Sequence, residues 1–415
     1  MMLRTASALL ALALAACGDN AVNNHGADAG PDVAATGSDA APDPSGVYAI
    51  PLATPAGEDQ GMLYTASFTA SGSTFQLDLD SGSTTTGVAA ASCTTCTGLS
   101  PLYQPGTAAM DQHHTASTAY ADGSRWSGEI FADMVGLGTG SPDVAVNIVS
   151  ITSQHNFFYG NEYQGILGVG PEALLEAGTS SYYTGVVAAG VADTMAYELC
   201  PTAGIMWLGG FDASHAQGAP QYTPLLTTGV NQDFYAVDMT DMALGGTSLG
   251  FDSSTFQDPI VDTGTSLFYV PTAVQTALIT AVNASPGFQA LFPGQTLSSR
   301  GDGCVQSASG TTDAMVDAML PELSMSFAGG ISVSAKASVS YLMNAGGGQY
   351  CLVVEGGGDN GEATMGDTIL RAFVTIIDVG GGQVGFAPQA HCIAPQIAHS
   401  RGPIGERGRG PHHAR

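Results

Sequence analysis

The chain has few basic side chains. Nine Lys and Arg residues stand against 36 Asp and Glu in 415 residues, and none of the nine lies between Arg4 and Arg125. Charged residues make up only 11% of the sequence, so the formal net charge of -27 reflects a shortage of bases. Such a surface repels nucleic acid at neutral pH, and we expect no nucleic-acid partner. It loses self-repulsion as the pH falls, which suits a protein that works in acid.

The apolar run near the N-terminus is too short to span a bilayer. It extends from Ala6 to Ala16, follows Arg4 and ends at Cys17. We interpret residues 1–16 as a signal peptide that resembles those of bacterial lipoproteins, with Cys17 as the lipidated residue. An ordinary secretory signal that contains a cysteine is the alternative. Either way we expect an exported protein, and a lipidated Cys17 would hold it at a membrane, on the periplasmic face or at the cell surface.

The two ends of the chain lack the residues of a packed core. Residues 17–45 contain no aromatic side chain and are rich in Ala, Asp, Asn, Gly and Pro, which predicts a flexible tether. This stretch also has no Lys or Arg, so we expect no basic autoinhibitory prosegment in it. Residues 393–415 carry Pro, Gly, Arg and His without an apolar pattern, which predicts a disordered basic tail.

Between these ends the composition favours β-structure. The chain has 56 glycines and 44% hydrophobic residues, and turn signals such as Ser71-Gly72-Ser73 separate short alternating segments. A chain of this length is too long for one small core, so we expect two lobes, residues 46–226 and 227–392. The predicted fold class is all-β (mostly β).

Two similar turns carry the chemistry. We call them the first Asp turn, Asp80-Ser81-Gly82-Ser83, and the second Asp turn, Asp262-Thr263-Gly264-Thr265. Two carboxylates in one site cannot both ionise comfortably, so they share one proton and titrate as a coupled pair. One member can then act as an acid and the other as a base on a water molecule. Glycine lets the two turns approach each other, and the small hydroxyls can orient the carboxylates.

The motifs DSGST and IVDTGTS resemble the paired active-site loops of the pepsin-like aspartic endopeptidases. The resemblance covers roughly residues 46–392 and includes five further segments in the order expected for the family. They are a YADGS hairpin, an apolar-apolar-Gly segment, a GG-x-D turn, a second apolar-apolar-Gly segment and a closing strand: Tyr120–Ser124, Gly165–Gly168, Leu208–Asp212, Thr364–Asp367 and Val384–Ala387.

The resemblance implies a bilobal fold with pseudo-twofold related lobes and a cleft between them. Asp80 and Asp262 would be the catalytic pair. Six residues would support the two catalytic loops, and four would form the flap, a mobile hairpin that covers the substrate: Ser81, Gly82, Ser83, Thr263, Gly264 and Thr265 for the loops, and Tyr120, Asp122, Gly123 and Ser124 for the flap. The implied activity is acid-favoured, pepstatin-sensitive cleavage of an extended peptide or protein substrate, without metal or other cofactor. We expect a monomer.

Six cysteines lie beyond Cys17, and in an exported chain they indicate three disulfides. The Cys-Thr-Thr-Cys spacing would suggest redox or zinc chemistry in a cytosolic protein, so a zinc site is the alternative. The family resemblance implies three pairs: Cys93–Cys96, Cys304–Cys351 and Cys200–Cys392.

One position departs from the family pattern. Seven residues after its first catalytic Asp, the family often has a Trp that hydrogen-bonds the flap tyrosine, whereas this chain has Gly87. We hypothesise that Trp126, beside the predicted hairpin, anchors Tyr120 instead. Ser81 in place of the commoner Thr keeps the hydroxyl.

Four alternative functions would use either residues outside the two Asp turns or the same two carboxyl groups. Gly246–Gly250 matches the G-x-S-x-G pattern of serine hydrolases, but that pattern needs a following helix and the next residues lack helical periodicity. The histidine pairs at 113–114 and 412–413 could ligate a metal. A catalytically silent pepsin-like protein could act as a binding module, and a glycosidase would also use two carboxyl groups.

Overall fold

The computed structural model describes residues 46–390, except residues 56–62, 139, 159–162, 300–302 and 358–362. The predicted signal peptide, Cys17, the tether, Cys392 and the basic tail lie outside the described residues. Within the described part, no helix is long and apolar enough to cross a bilayer.

Eleven strands lie in the first half of the described chain. In order they are β1 (Tyr48–Ala53), β2 (Thr65–Ala70), β3 (Ser73–Asp80), β4 (Gly87–Ala89), β5 (Met110–Ala119), β6 (Arg125–Gly136), β7 (Val144–His155), β8 (Gly165–Gly168), β9 (Met195–Cys200), β10 (Ala203–Leu208) and β11 (Gln221–Pro224).

Thirteen strands follow in the second half of the described chain. They are β12 (Met239–Leu244), β13 (Thr247–Ser248), β14 (Ile260–Val261), β15 (Phe268–Val270), β16 (Cys304–Gln306), β17 (Leu323–Phe327), β18 (Ile331–Ala335), β19 (Leu342–Gly346), β20 (Gln349–Leu352), β21 (Val354–Gly356), β22 (Thr364–Met365), β23 (Phe373–Asp378) and β24 (Gln383–Pro388).

The α-helices of the described residues are few and short. They are α1 (Tyr182–Ala188), α2 (Ser253–Phe256), α3 (Thr272–Ala284), α4 (Pro286–Leu291), α5 (Asp313–Met319), α6 (Ala337–Ser340) and α7 (Asp367–Leu370). The longest, α3, buries Val274, Leu278 and Val282, which recur every four residues and so form one apolar face. The predicted fold class, all-β (mostly β), is confirmed.

The hairpin of β2 and β3 leads to the first Asp turn. Its two loop residues, Ser71 (φ 47°) and Gly72 (φ 77°), both have left-handed backbone conformations. This is the geometry of a two-residue turn whose twist matches that of the flanking strands. The predicted turn therefore lies where the sequence indicates, and β3 ends at the buried Asp80.

A sheet of thirteen strands contains a symmetric block of six at one end of its strand order, β11-β24-β23-β9-β10-β1. At its centre, β9 from the first half of the chain pairs with β23 from the second, and Tyr197 lies opposite Thr375. The hairpins β9–β10 and β23–β24 extend to either side, and β1 and β11 form the outer strands. The block therefore joins the two halves around a pseudo-twofold axis.

The two halves also repeat one topology around the Asp turns. In the first half, β3 is parallel to β8, β8 is antiparallel to β4, and β4 is parallel to β7. In the second half, β14, β22, β15 and β21 pair in the same way. This duplication is the architecture of a bilobal fold with related lobes. All described residues lie in one compact unit, so the lobe limits of 46–226 and 227–392 stay a prediction.

Most of the core is apolar, and side chains from both halves, such as Leu79, Val237 and Phe373, contribute to one large cluster. A dense group of buried polar residues lies at the two Asp turns, where residues 80–86 and 262–266 are almost inaccessible to solvent. Burying polar groups costs free energy unless they form hydrogen bonds. The hydrogen bonds of the two turns therefore locate the candidate site.

Candidate active site

Asp80 lies at the end of β3 and is fully buried. The Gly82 N–H donates a hydrogen bond to Asp80 Oδ1 at 2.7 Å, and the Ser83 hydroxyl donates to Oδ2 at 2.6 Å. Both carboxyl oxygens are therefore held by their own turn, which fixes the plane of the group.

Asp262 follows β14 and is equally buried. The Gly264 N–H donates to Asp262 Oδ1 at 2.8 Å, and the Thr265 hydroxyl donates to Oδ2 at 2.6 Å. The two Asp turns thus orient their carboxyl groups by the same pair of contacts.

Four hydrogen bonds connect the two Asp turns. The Ser81 N–H donates to Thr263 Oγ1 at 3.1 Å, and the Thr263 N–H donates to Ser81 Oγ at 3.0 Å. The same hydroxyls donate to backbone carbonyls of the opposite turn, Ser81 to Val261 and Thr263 to Leu79, both at 2.9 Å. The structure therefore brings together all eight residues predicted for the two catalytic loops, in a reciprocal arrangement.

Two glycines allow the carboxyl groups to face each other. A Cβ built on Gly82 would lie 2.6 Å from Asp262 Oδ1, and one on Gly264 would lie 2.5 Å from Asp80 Oδ1. Real Cβ contacts are longer, so any side chain at either position would displace the opposite carboxyl group. Each carboxyl group packs against the glycine of the other turn.

The apolar-apolar-Gly segments form backbone hydrogen bonds with the two Asp turns. The Val169 N–H, just after β8, donates to the Asp80 carbonyl at 2.8 Å, and the Asp262 N–H donates to the Met365 carbonyl of β22 at 3.1 Å. Each of the two segments therefore pairs with the strand that leads to its Asp turn.

Burial and mutual repulsion dominate the electrostatics of the pair. Burial raises the pKa of Asp80 well above the usual Asp value, and the charge of Asp262 raises it further. The Ser83 hydrogen bond lowers it, Asp78 raises it, and the Gly82 hydrogen bond lowers it slightly. A buried carboxyl group beside a second one keeps its proton to higher pH than an exposed one, so Asp80 favours its neutral form.

The predicted flap residues form a hairpin turn between β5 and β6. The Tyr120 N–H donates to the Ser124 carbonyl at 2.9 Å, and the Gly123 N–H donates to the Tyr120 carbonyl at 3.0 Å. Gly123 has φ 84°, and the Asp122 carboxylate accepts a hydrogen bond from the Ser124 N–H at 2.8 Å. The turn is thus closed by its own residues, and its role as a lid stays a prediction.

Trp126 makes the contact that we hypothesised from the sequence. Its Nε1–H donates to the Tyr120 phenol oxygen at 2.9 Å, and both side chains are buried. The Tyr120 ring also stacks on Phe157, with 5.6 Å between centroids. A Cβ built on Gly87 would lie 3.0 Å from Ile151 Cδ1, so Ile151 occupies the space next to Gly87.

The flap turn lies near the second half of the chain. Tyr269, on β15, has its pKa raised to about 12, first by burial and then by the charges of Glu355 and Asp122. Asp122 belongs to the flap turn, and Tyr269 follows Asp262 by seven residues. The hairpin therefore extends from the first half toward the strand that follows the second Asp turn.

Two of the implied disulfides are present. Cys93 is bonded to Cys96, and Cys304 on β16 is bonded to Cys351 on β20, its opposite residue in the strand register. Cys200 is disulfide-bonded, and its predicted partner, Cys392, lies outside the described residues.

Among the described residues, those of the alternative functions do not assemble into a second site. Within the described ranges, no group of three or more His, Cys, Asp and Glu is arranged to hold a metal. His113 is exposed on β5 and lies 3.3 Å from Asp111, while His412 and His413 lie outside the described residues. Ser248 of the G-x-S-x-G match lies in the β12–β13 hairpin and donates to a carboxylate, Asp241, at 2.6 Å. A one-turn helix, α2, does follow the match, against our expectation.

Two buried acids at the site are not identified by the motifs. Asp78 is 1% exposed and Asp367 is fully buried. Burial, Asp262 and then Asp78 raise the pKa of Asp80, and burial followed by the charges of Asp78 and Asp262 raises the pKa of Asp367. Asp78 has a signal in the sequence, because it stands two residues before Asp80 on a strand and so faces the same side. Asp367 lies within one of the motif segments, but the burial of its carboxyl oxygens without a hydrogen-bond partner among the described residues depends on tertiary packing.

The duplicated β-fold and the paired carboxyl groups define a bilobal protein with an aspartate pair at the junction of its halves. A profile of the eukaryotic aspartyl protease family matches residues 66–389, and the chain belongs to this family.

Three relatives show the extent of the similarity. It is 28% identical over 336 residues to an aspartic protease of Phaffia rhodozyma, a match that covers 79% of this chain and 77% of that protein. It is 27% identical over 335 residues to gastricsin of Cavia porcellus, covering 76% and 77%. A shorter match, 29% over 235 residues, relates 50% of the chain to 42% of a beta-secretase of Strongylocentrotus purpuratus.

Proposed function

We propose that this protein is an aspartic endopeptidase that hydrolyses peptide bonds with a water molecule activated between Asp80 and Asp262. The reciprocal geometry of the two Asp turns carries this proposal. The two carboxyl groups are oriented toward each other, each against the glycine of the opposite turn.

The mechanism follows from the shared proton. The ionised carboxyl group takes a proton from water, and the resulting nucleophile attacks the scissile carbonyl carbon. The protonated carboxyl group donates a hydrogen bond to the carbonyl oxygen as negative charge develops there. A proton then passes to the leaving nitrogen and the C–N bond breaks. No covalent bond between enzyme and substrate is formed. The peptide lies extended beneath the flap, and its backbone pairs with the edges of the cleft.

Cleavage of a denatured protein such as casein or haemoglobin, between about pH 3 and pH 7, tests this function. The proposal expects cleavage that is faster in acid, blocked by pepstatin and absent in the Asp262→Asn variant. A folded, disulfide-bonded protein that cleaves no substrate at any pH would instead be a binding module that retains the residues of a peptidase.

We also propose that the protein is exported and anchored to a membrane through a lipid on Cys17. The basic Arg4, the apolar run from Ala6 to Ala16 and the Leu-Ala-Ala-Cys sequence support this proposal. Metabolic labelling with a radioactive fatty acid should label the wild-type protein, while Cys17→Ser should lose both the label and the membrane association. Labelling that survives in the variant would contradict the proposal. We further propose that the protein is a monomer, which size-exclusion chromatography with light scattering would test.

A further inference from the structure

The short loop between Cys93 and Cys96 has no task in the proposed mechanism. A disulfide joins the two cysteines and closes residues 93–96 into a small ring, which we call the disulfide loop. Cys93 is half-buried, Cys96 is 4% exposed, and Thr95 between them is exposed. The loop is therefore a covalently restrained element at the surface of the protein.

Gln154 is attached to the disulfide loop by two hydrogen bonds. It is half-buried and lies one residue before the end of β7. Its backbone N–H donates to Thr95 Oγ1 at 2.8 Å, and its side-chain Nε2 donates to the Thr95 carbonyl at 2.7 Å. One residue of the loop thus holds both the backbone and the side chain of Gln154.

The remaining polar atom of the Gln154 side chain holds Phe157. The Phe157 N–H donates to Gln154 Oε1 at 2.9 Å, so the two ends of the amide bind different segments. The Tyr163 hydroxyl donates to the Phe157 carbonyl, and Phe157 is fully buried. Hydrogen bonds at both backbone polar groups and close packing therefore fix the position of the Phe157 ring.

Phe157 is the ring on which the flap tyrosine stacks. The centroids of Tyr120 and Phe157 are 5.6 Å apart, and the ring planes are inclined by 20°. Phe158 packs edge-on against Phe157, with 4.9 Å between centroids, and also packs against Cys96 and Leu99. The disulfide loop is thus connected to the flap tyrosine by a polar route through Gln154 and an apolar route through Phe158.

The partner of the flap tyrosine on β6 also lies next to Gln154. Trp126, which donates to the Tyr120 hydroxyl, is opposite Gln154 in the register of β6 and β7. Tyr120 is therefore held at its ring by Phe157 and at its hydroxyl by Trp126, and Gln154 adjoins both of these residues.

We propose that Gln154 is a positioning residue that fixes the flap tyrosine relative to the disulfide loop, and that the loop contributes to substrate binding through it. A tyrosine that is already held in place loses less conformational entropy when a peptide binds beneath the flap. None of the contacts from the loop to Tyr120 described above involves Asp80 or Asp262, so the effect falls on KM and not on kcat. This role rests on the proposed peptidase function.

The kinetic test compares KM and kcat of the wild type, Gln154→Met and Gln221→Met. Met has nearly the length of Gln but cannot form the hydrogen bonds of the amide. Gln221 is the matched control, because it also lies on a strand, β11, and donates its Nε2–H to a backbone carbonyl, that of Ser332, at 3.1 Å. KM should rise about fivefold in Gln154→Met, with kcat within about twofold of the wild type, and should not change in Gln221→Met.

An unchanged KM in Gln154→Met, a loss confined to kcat, or an equal rise of KM in Gln221→Met would overturn the proposal. Opening the disulfide loop provides a second variant. Cys93→Ser/Cys96→Ser should raise KM as well, and its combination with Gln154→Met should raise KM by less than the product of the two separate increases, because both changes interrupt one connection. Increases that multiply would show that the loop and Gln154 act independently, against the proposal.

Fluorine NMR tests the connection without an activity assay. The chain has two tryptophans, so protein labelled with fluorinated tryptophan gives two resonances, and Trp126→Phe identifies that of Trp126. Since Gln154 is a neighbour of Trp126, the decisive variant is Cys93→Ser/Cys96→Ser, which should move the Trp126 resonance and leave that of Trp207 in place. An unmoved Trp126 resonance would overturn the proposal. If the wild type cleaves no substrate, the peptidase function fails, while the resonance still decides whether the loop positions the flap.

Discussion

The Trp126 indole N–H donates a hydrogen bond to the Tyr120 phenol oxygen across 2.9 Å. The bond joins the flap turn to β6, the second strand of the same hairpin. The chain has Gly87 at the position where the family often has a Trp, and Ile151 fills that space. The flap tyrosine is thus anchored by its own hairpin.

Replacing Trp126 with Phe should weaken substrate binding under the flap. Phe keeps an aromatic ring in the buried cluster but removes the donor, and one such hydrogen bond is worth about 1 kcal/mol, or about fivefold in KM. Trp207→Phe, at the other buried tryptophan, is the matched control because Trp207 lies on β10 against His215. A double-mutant cycle with Tyr120→Phe measures the coupling. Additive effects of the two changes would show that the bond has no role in binding.

Removing the Thr263 hydroxyl should destabilise the fold. Thr263→Val leaves the Ser81 N–H without its acceptor and the Leu79 carbonyl without its donor, which costs about 1–3 kcal/mol for each buried group.

Thr86→Val is the control for this substitution. The Thr86 hydroxyl is fully buried and has no hydrogen-bond partner among the described residues, so its removal should be neutral or stabilising. Urea unfolding of both variants provides the comparison. Equal changes in the free energy of unfolding for Thr263→Val and Thr86→Val would mean that the hydrogen bonds between the Asp turns contribute nothing to stability.

The protein should be more stable in acid than at neutral pH. Asp80 and Asp367 have pKa values raised above the unfolded value of 3.8, so the folded state binds their protons more tightly. This stabilisation is complete below the unfolded pKa and is lost as the pH rises through the raised values.

Thermal unfolding from about pH 4 to pH 8 measures the loss of stability. Asp367→Asn should reduce the dependence on pH, because the amide does not ionise, while Glu322→Gln, at an exposed carboxylate, should keep the wild-type dependence. The same fall in Tm for Asp367→Asn and the wild type would contradict this assignment.

The two disulfides that have both cysteines among the described residues should differ in their contribution to stability. Cys304 and Cys351 are 47 residues apart, whereas Cys93 and Cys96 are three apart. Loop-closure entropy predicts losses of about 4 kcal/mol for the double Ser variant of the first pair and about 2 kcal/mol for the second. Chemical denaturation of each variant measures the difference. A larger loss from the short loop would contradict the entropic explanation.

Local chemistry predicts the Asp turns because each needs the same residues in the same order: a carboxylate, a hydroxyl, a glycine and a second hydroxyl. Hairpin geometry likewise predicts the contact of Trp126 with Tyr120, since the two residues lie close together at one turn. The pairing of β9 with β23 is not predictable in this way, because partners so far apart in sequence are specified by the packing of both halves. The environment of Asp367 is not predictable in this way either. Its buried carboxyl oxygens have no hydrogen-bond partner among the described residues, which depends on how distant segments pack around it.

The most direct measurement is the steady-state rate of peptide cleavage by the wild type, Asp80→Asn and Asp262→Asn, from acid to neutral pH. Each variant should fold and keep its disulfides, since Asn preserves the shape of the buried side chain. Because both carboxyl groups take part in moving one proton in the proposed mechanism, either substitution should lower kcat by at least about 10³-fold. A variant that cleaves at the wild-type rate, or a folded wild-type protein that cleaves no peptide at any pH, would contradict the proposed role of the pair.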